Sequence, residues 1–181
     1  MTEGLYVASR KGLVPIRRRN RGWEAGAAAF LGEPVSAILR DPRDGTLYVG
    51  EETRGIWRFA PGASEGELVA QTDGRQLVAD VEGLAIMPQG DNGGWLVASS
   101  QGDNAYALYR LPDMAPVSRF RIGAGKFGAT QETDGIDLVP GDFGPDYPNG
   151  LFVAQDGDNR PYAQNFKLVS WQTILEAVNE H

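Results

Sequence analysis

Seven carboxylates, Glu132, Asp134, Asp137, Asp142, Asp146, Asp156 and Asp158, fall within residues 132–159, in loops around two short apolar runs, GIDLV and GLFVA. Oxygen donors clustered where the backbone turns suit a hard cation such as calcium, which takes about six to eight oxygens in flexible geometry. Asp and Gly are also the common residues of turns, and that reading stands beside the first. Zinc would want nitrogen or sulfur, whereas the chain has no cysteine and a single histidine, the terminal His181. Thiolate nucleophiles, disulfides, histidine triads and phosphohistidine intermediates are therefore excluded. Any catalysis must use carboxylates, hydroxyls, cations or bound metal.

The chain has 181 residues, enough for one domain with a real core. Its 24 acidic and 17 basic residues give a net charge of -7 and a pI of about 4.7, which argues against a nucleic-acid partner reached through bulk charge. An acidic protein can still handle an anionic substrate when metal ions bridge the two. No apolar run is long enough to cross a membrane, and the opening MTEGLYVASR lacks the pattern of a signal peptide.

The elements that must position the acids are strands. Short runs rich in Val, Ile, Leu, Tyr and Trp alternate with Gly, Asp, Asn or Pro, and only SWQTILEAVNE at the C-terminus has helical spacing, with Ser170 as its cap and Ile174, Leu175 and Val178 on one face. LYVAS, LYVGE, WLVAS and LFVAQ repeat one pattern, and their valines, Val7, Val49, Val97 and Val153, are 42, 48 and 56 residues apart. That is the spacing of a four-stranded propeller blade. VSAIL, EGLAIMP and DGIDLVP precede the repeats; GLVPIRR, GIWRFA, YALYRL and NFKLVSW follow them. GWEAGAAAF, GELVAQT and PVSRFRIG supply outer strands. The expected fold is all-β, a partial β-propeller of about three and a half to four blades. The first blade lacks its inner strand, the last lacks its outer one, and a short helix ends the chain. A β-sandwich is the alternative, although it would not need this self-similarity. Open edges call for a partner, a swap or further sequence, and a homo-oligomer is one solution.

Superposing the repeats gathers the acids. Val35-Ser36-Ala37-Ile38, Val81-Glu82-Gly83-Leu84 and Thr133-Asp134-Gly135-Ile136 share one layout at the start of innermost strands, so Glu82, Asp134 and Ser36 are expected at the central channel. Arg10, Glu52, Ser100 and Asp156 each lie three residues beyond a repeat valine. Glu51 and Glu52 point to opposite faces of a strand, so only one can share the channel site. Carboxylates packed at one mouth repel unless a cation neutralises them, and calcium fits there either as a staple or as a catalytic metal. The basic run 10–21, with Arg10, Lys11, Arg17, Arg18, Arg19 and Arg21, reads either as a solvated edge that discourages aggregation or as an anion-binding edge.

LYVGEETRGIWRF, DGRQLVADVEGLAIM, GWLVASSQGDNAYALYRL, ETDGID, and YPNGLFVAQDGDN with QNFKLVSW together resemble the C-terminal half of the β-propeller phytases, over residues 41–171 and in the same order. The resemblance implies a calcium-dependent phosphomonoesterase that hydrolyses phytate, myo-inositol hexakisphosphate, by a metal-activated water. It implies that Glu52, Glu82 and Asp134 are the catalytic acids and calcium ligands, with Asp80 and Asp156 as further metal-associated acids, and that the compartment is secreted or periplasmic. Ser36 stands where the family has a glutamate, and Gly128 where it has an aspartate. The family's N-terminal phosphate-binding residues have no counterpart, which leaves Arg10, Arg17 and Arg18 as the expected substrate-binding group. Residues 1–45, with LYVASRKGLVPIRR and DPRDGTLYVG, instead resemble the opening of sialidase-like BNR-repeat propellers. The expected organisation is one propeller domain over 1–181, a BNR-like first blade to residue 45 and phytase-like blades from 46, the product of natural recombination or engineered fusion.

Overall fold

The computed structural model describes residues 4–179, so the expectation about His181 lies outside the described residues. The strands form four antiparallel sheets in chain order. Sheet one holds β1 (Gly4–Ser9), β2 (Gly12–Arg19) and β3 (Gly22–Ala25). Sheet two holds β4 (Val35–Arg40), β5 (Leu47–Glu51), β6 (Gly55–Phe59) and β7 (Glu67–Gln71), and sheet three holds β8 (Val81–Gln89), β9 (Gly93–Ser100), β10 (Ala105–Leu111) and β11 (Ala115–Phe120). β12 (Ile136–Val139), β13 (Leu151–Asp156) and β14 (Asn165–Ser170) make sheet four, and α1 (Trp171–Asn179) follows. Among the described residues the first sheet has no inner strand and the last has three strands, with α1 packed on β14 and β11.

Each sheet is an up-and-down meander because its β-branched and aromatic runs are cut by tight turns. Gly12 (φ 119°) and Gly55 (φ 132°) open the third-position strands of sheets one and two. At each, a side chain would strike the carbonyl of the neighbouring outer segment, Ala29 or Ala70, so only glycine permits the pairing.

The sheets stack face to face, and a core fills each junction. Leu13, Val35, Leu47, Val49 and Phe59 join sheets one and two, with Phe30 edge-on to Trp57 and Phe59. Tyr48, Ile56, Leu84, Ile86, Leu96 and Ala98 join sheets two and three. Ala85, Met87, Val97, Tyr106 and Leu108 meet Leu138, Phe152, Ala154 and the buried face of α1, Trp171, Ile174 and Val178. Full burial of such side chains stabilises by roughly 1.5–3 kcal/mol each. The innermost strands β4, β8 and β12 lie side by side, so their starting residues converge at one mouth.

Candidate metal centre

Bulges aim the side chains at that mouth. Val35 pairs with Glu51 and Ala37 with Gly50, which leaves Ser36 unpaired; Val81 pairs with Ser100 and Leu84 with Ala98, which leaves Glu82 in the irregular stretch. A bulge bends its strand and redirects a side chain. At Gly83 a Cβ would sit 3.0 Å from Ile136 side-chain and backbone atoms. Glycine here lets β12 approach β8 closely, and Asp134 comes beside Glu82.

Backbone hydrogen bonds tie the contributing segments together. Val81 N–H donates to the Glu52 carbonyl at 2.9 Å, and Gln101 N–H to the Asp80 carbonyl at 3.0 Å. Within this frame Glu52, Asp80 and Glu82, all half-buried, each place a carboxylate oxygen within 4.8 Å of the others. Asp134 stands beside the three, its Oδ1 accepting from Gln101 Nε2 at 2.6 Å and its N–H donating to Gln155 Oε1 at 2.8 Å. Ser36 Oγ donates to the carbonyl of Val81. A hydroxyl thus closes the β4 side of the mouth.

Burial, followed by the charges of Glu52, Asp134 and Asp80, pushes the Glu82 carboxyl up to about 7, against an opposing pull from Arg10. A divalent cation among these oxygens would offset the repulsion, and an all-oxygen donor set with several carboxylates suits calcium. The shift has a consequence for stability. In the unfolded chain the same group titrates near its ordinary 4.5, so between that pH and about 7 the folded form holds a proton that the unfolded form has released. In a chelator, therefore, the contribution of Glu82 should fall as pH rises through this window and stay constant above it. Asp41, Asp73, Asp103, Asp113 and Asp158, whose carboxyls are lowered by hydrogen bonds and cations, act in the opposite sense and only at lower pH. Melting curves at pH 5 and pH 8 test this: the acid-side advantage seen in chelator should shrink when calcium is added.

The ladders also correct the register of the repeat. Val49, Ala98 and Ala154 pair with Ile38, Leu84 and Ile136 respectively, so they are equivalent, rather than Val49, Val97 and Val153. Sheets three and four are shifted by one residue, and a shift of one exchanges the faces of a strand. Ser100 and Asp156 accordingly occupy the level of Glu51, and Gln101 occupies that of Glu52. Gln101 is the site residue that the repeat alignment missed.

Asp156 does not join the mouth. It is 1% exposed, accepts the Gln131 N–H at 3.1 Å and is paired with buried Lys167 at 3.0 Å. Glu51 is likewise buried, its Oε2 accepting from the Trp57 indole at 2.7 Å, while Glu52 takes the mouth. Of the basic residues, Arg10 follows β1 at the same mouth and its charge reaches Glu82. Arg17 and Arg18 do not. The β1–β2 hairpin turns at Ser9 and Gly12, and five residues of strand carry Arg17 about 17 Å away. Arg17 lines a cleft of about 620 Å³ with Arg40 and Asp44 at the opposite end of the sheets, and Arg18 lies over the Trp23 ring at 5.9 Å.

Residues 31–181 match the family model described as Phytase. A 3-phytase of Bacillus subtilis (strain 168) is 42% identical over 159 residues, covering 83% of this chain and 42% of that protein, so the chain spans about two fifths of the length of that relative. The match takes in everything from β4 to α1, including all four mouth acids, and leaves sheet one outside it. With a family model aligned over residues 31–181, the chain belongs to the phytase family.

Proposed function

We propose that this chain binds calcium through Glu52, Asp80 and Glu82, with Asp134 and Gln101 beside them, and that the site serves hydrolysis of phosphate monoesters, phytate above all. The observation that carries the reading is the convergence of three carboxylates from two blades at one mouth, in a chain similar to a 3-phytase. Calcium bound there would supply positive charge for the phosphoryl oxygens and a water of lowered pKa. The chain's own residues hold and orient: Glu52, Asp80 and Glu82 fix the cation, Gln101 holds Asp134 in place, and Arg10 is the basic residue at the flank of the cluster that can meet a phosphate. A secreted or periplasmic setting, rich in calcium, suits a site built from oxygen alone. The opening segment, residues 1–45, is read as a sialidase-like, BNR-type first blade of the same propeller, joined to the phytase-like blades by recombination or fusion.

One observation favours a second reading, calcium as a staple without turnover. Ser36, at the bulge equivalent to Glu82, spends its hydroxyl on the Val81 carbonyl and brings no carboxylate. Phosphate release from calcium phytate separates the two. Under the first reading, release is lost on chelation and in Glu82→Ala. Under the second, calcium raises the melting temperature while release stays at the Glu82→Ala level, and the enzymatic reading is then wrong.

A further inference from the structure

The turn between β9 and β10 touches the acids of the mouth on two sides. Residues 101–103 form one 3-10 turn, which Asn104 closes in the left-handed region (φ 54°). Gly102 presses this turn onto the segment before β8, since a Cβ there would lie 1.9 Å from the Ala79 carbonyl oxygen, and the Gln101 N–H bonds the Asp80 carbonyl. On the other side Asn104 Oδ1 accepts the Glu132 N–H at 2.8 Å, and Gln101 Nε2 reaches Asp134. One turn therefore sets Asp80 against Asp134. The backbone beside Asp134 has further supports, with Ser99 Oγ on the Thr133 carbonyl at 2.7 Å and the Tyr106 hydroxyl 2.9 Å from that of Thr133. Among the described residues, however, the Asp134 carboxylate takes a hydrogen bond from Gln101 alone.

Asp103 fastens the turn. Its Oδ1 accepts from Ser100 Oγ at 2.9 Å, and Ser100 Oγ in turn accepts the Val78 N–H at 2.8 Å. Its Oδ2 accepts from Arg119 Nη2 at 2.5 Å and Arg121 Nη2 at 2.9 Å, while its carbonyl accepts from Arg121 Nε at 3.0 Å. Both carboxylate oxygens are thus taken up by Ser100 and the arginines, and Asp103 stands outside the group of acids that could share an ion. A single exposed ion pair contributes little. This carboxylate is only 22% exposed and bonds Ser100 of β9 and Arg119 of β11 at once, through charge-assisted bonds about twice as strong as neutral ones.

We propose that Asp103 is a positioning residue of the mouth: clamped by Arg119, Arg121 and Ser100, it holds the 101–104 turn so that Gln101 aims the Asp134 carboxylate at the cation held by Glu52, Asp80 and Glu82. The inference rests on the calcium reading above. Without Asp103 the turn loses its tie to β11, and Gln101 no longer fixes the direction of Asp134. Groups that orient a metal's ligands without touching the metal commonly carry about 10–100-fold in affinity.

Calorimetric titration of the full chain with calcium tests this, with melting in chelator as the second measurement. Asp103→Ala should bind calcium at least about tenfold more weakly than the parent, and so should Asp134→Ala. Because Asp103 acts through Asp134, the double variant should bind no more weakly than Asp134→Ala alone, whereas two independent losses would multiply. A role in folding alone would lower the melting temperature in chelator and leave the calcium affinity where it was. Asp103→Asn, which keeps the size and one acceptor oxygen, should lose less affinity than the alanine variant, and it carries the same double-variant comparison if Asp103→Ala does not fold. An affinity equal to the parent's in these variants, or a double variant weakened by the product of the two single effects, overturns the proposal and leaves the calcium reading standing. A parent that binds no calcium, or whose affinity survives Glu82→Gln, overturns both.

Discussion

Replacing Lys167 with alanine should cost about 3–5 kcal/mol of folding stability, because it leaves a buried carboxylate without its counter-charge. Lys167 and Asp156 are 3.0 Å apart with side chains 8% and 2% exposed. Lys167 Nζ also donates to Asn165 Oδ1 at 2.7 Å, and Asp156 keeps only the Gln131 N–H once the lysine is gone. The charge of Asp156 reaches the Tyr106 hydroxyl, but that hydroxyl is already bonded to Thr130 and Thr133. For a chain of this size the loss corresponds to a melting temperature lower by about ten degrees. Urea unfolding measures it directly. The double variant Asp156→Asn, Lys167→Met should recover most of the loss, since it removes both charges together. A single-variant cost under about 1 kcal/mol would mean that water reaches Asp156 and that the pair is not a buried one.

Calcium should raise the melting temperature of the parent, and Glu82→Gln should remove most of that rise. A cation that binds only the folded form at a hundredfold excess over its dissociation constant adds about 2.7 kcal/mol, or roughly five to ten degrees here. Glu82 is the residue on which burial and three neighbouring acids converge, so the variant carries a second signature. In chelator at pH 8 it should melt above the parent, because the amide escapes the charge repulsion, and at pH 5, where the parent's Glu82 is protonated, the two should coincide. A calcium shift unaltered in Glu82→Gln would place the ion elsewhere. A variant that melts below the parent in chelator at pH 8 would show that the carboxylate is not repelled by Glu52, Asp80 and Asp134.

Much of this organisation is legible in the linear chain. Runs such as LYVGE and GIWRF are strands because β-branched and aromatic residues are cut by glycine at fixed intervals, and self-similarity at blade spacing orders them into a meander. The shared layout around Ser36, Glu82 and Asp134 survives folding because each lies at the start of an innermost strand, where a glycine or alanine follows and the strands converge. Alternation also separates Glu51 from Glu52, one into the core and one to the mouth.

Tertiary structure alone decided the rest, beginning with register. WLVASS lies between neighbours on both sides, and LFVAQD has apolar residues on both faces although only one is packed, so neither shows in sequence the apolar–polar alternation that would fix register. Only pairing with β8 and β12 shows that Gln101, and not Ser100, stands at the level of Glu52, and that Asp156 turns inward to Lys167. A run of arginines likewise looks like one patch in sequence. The β1–β2 hairpin divides it, leaving Arg10 at the mouth and carrying Arg17 and Arg18 to the far end of the sheet. What the amino-acid sequence determined by itself was the strand inventory and the shared layout of Ser36, Glu82 and Asp134, because local periodicity encodes which residues alternate. Which face each residue of a doubly buried strand presents depends on its partners, and that only the packed sheets could decide.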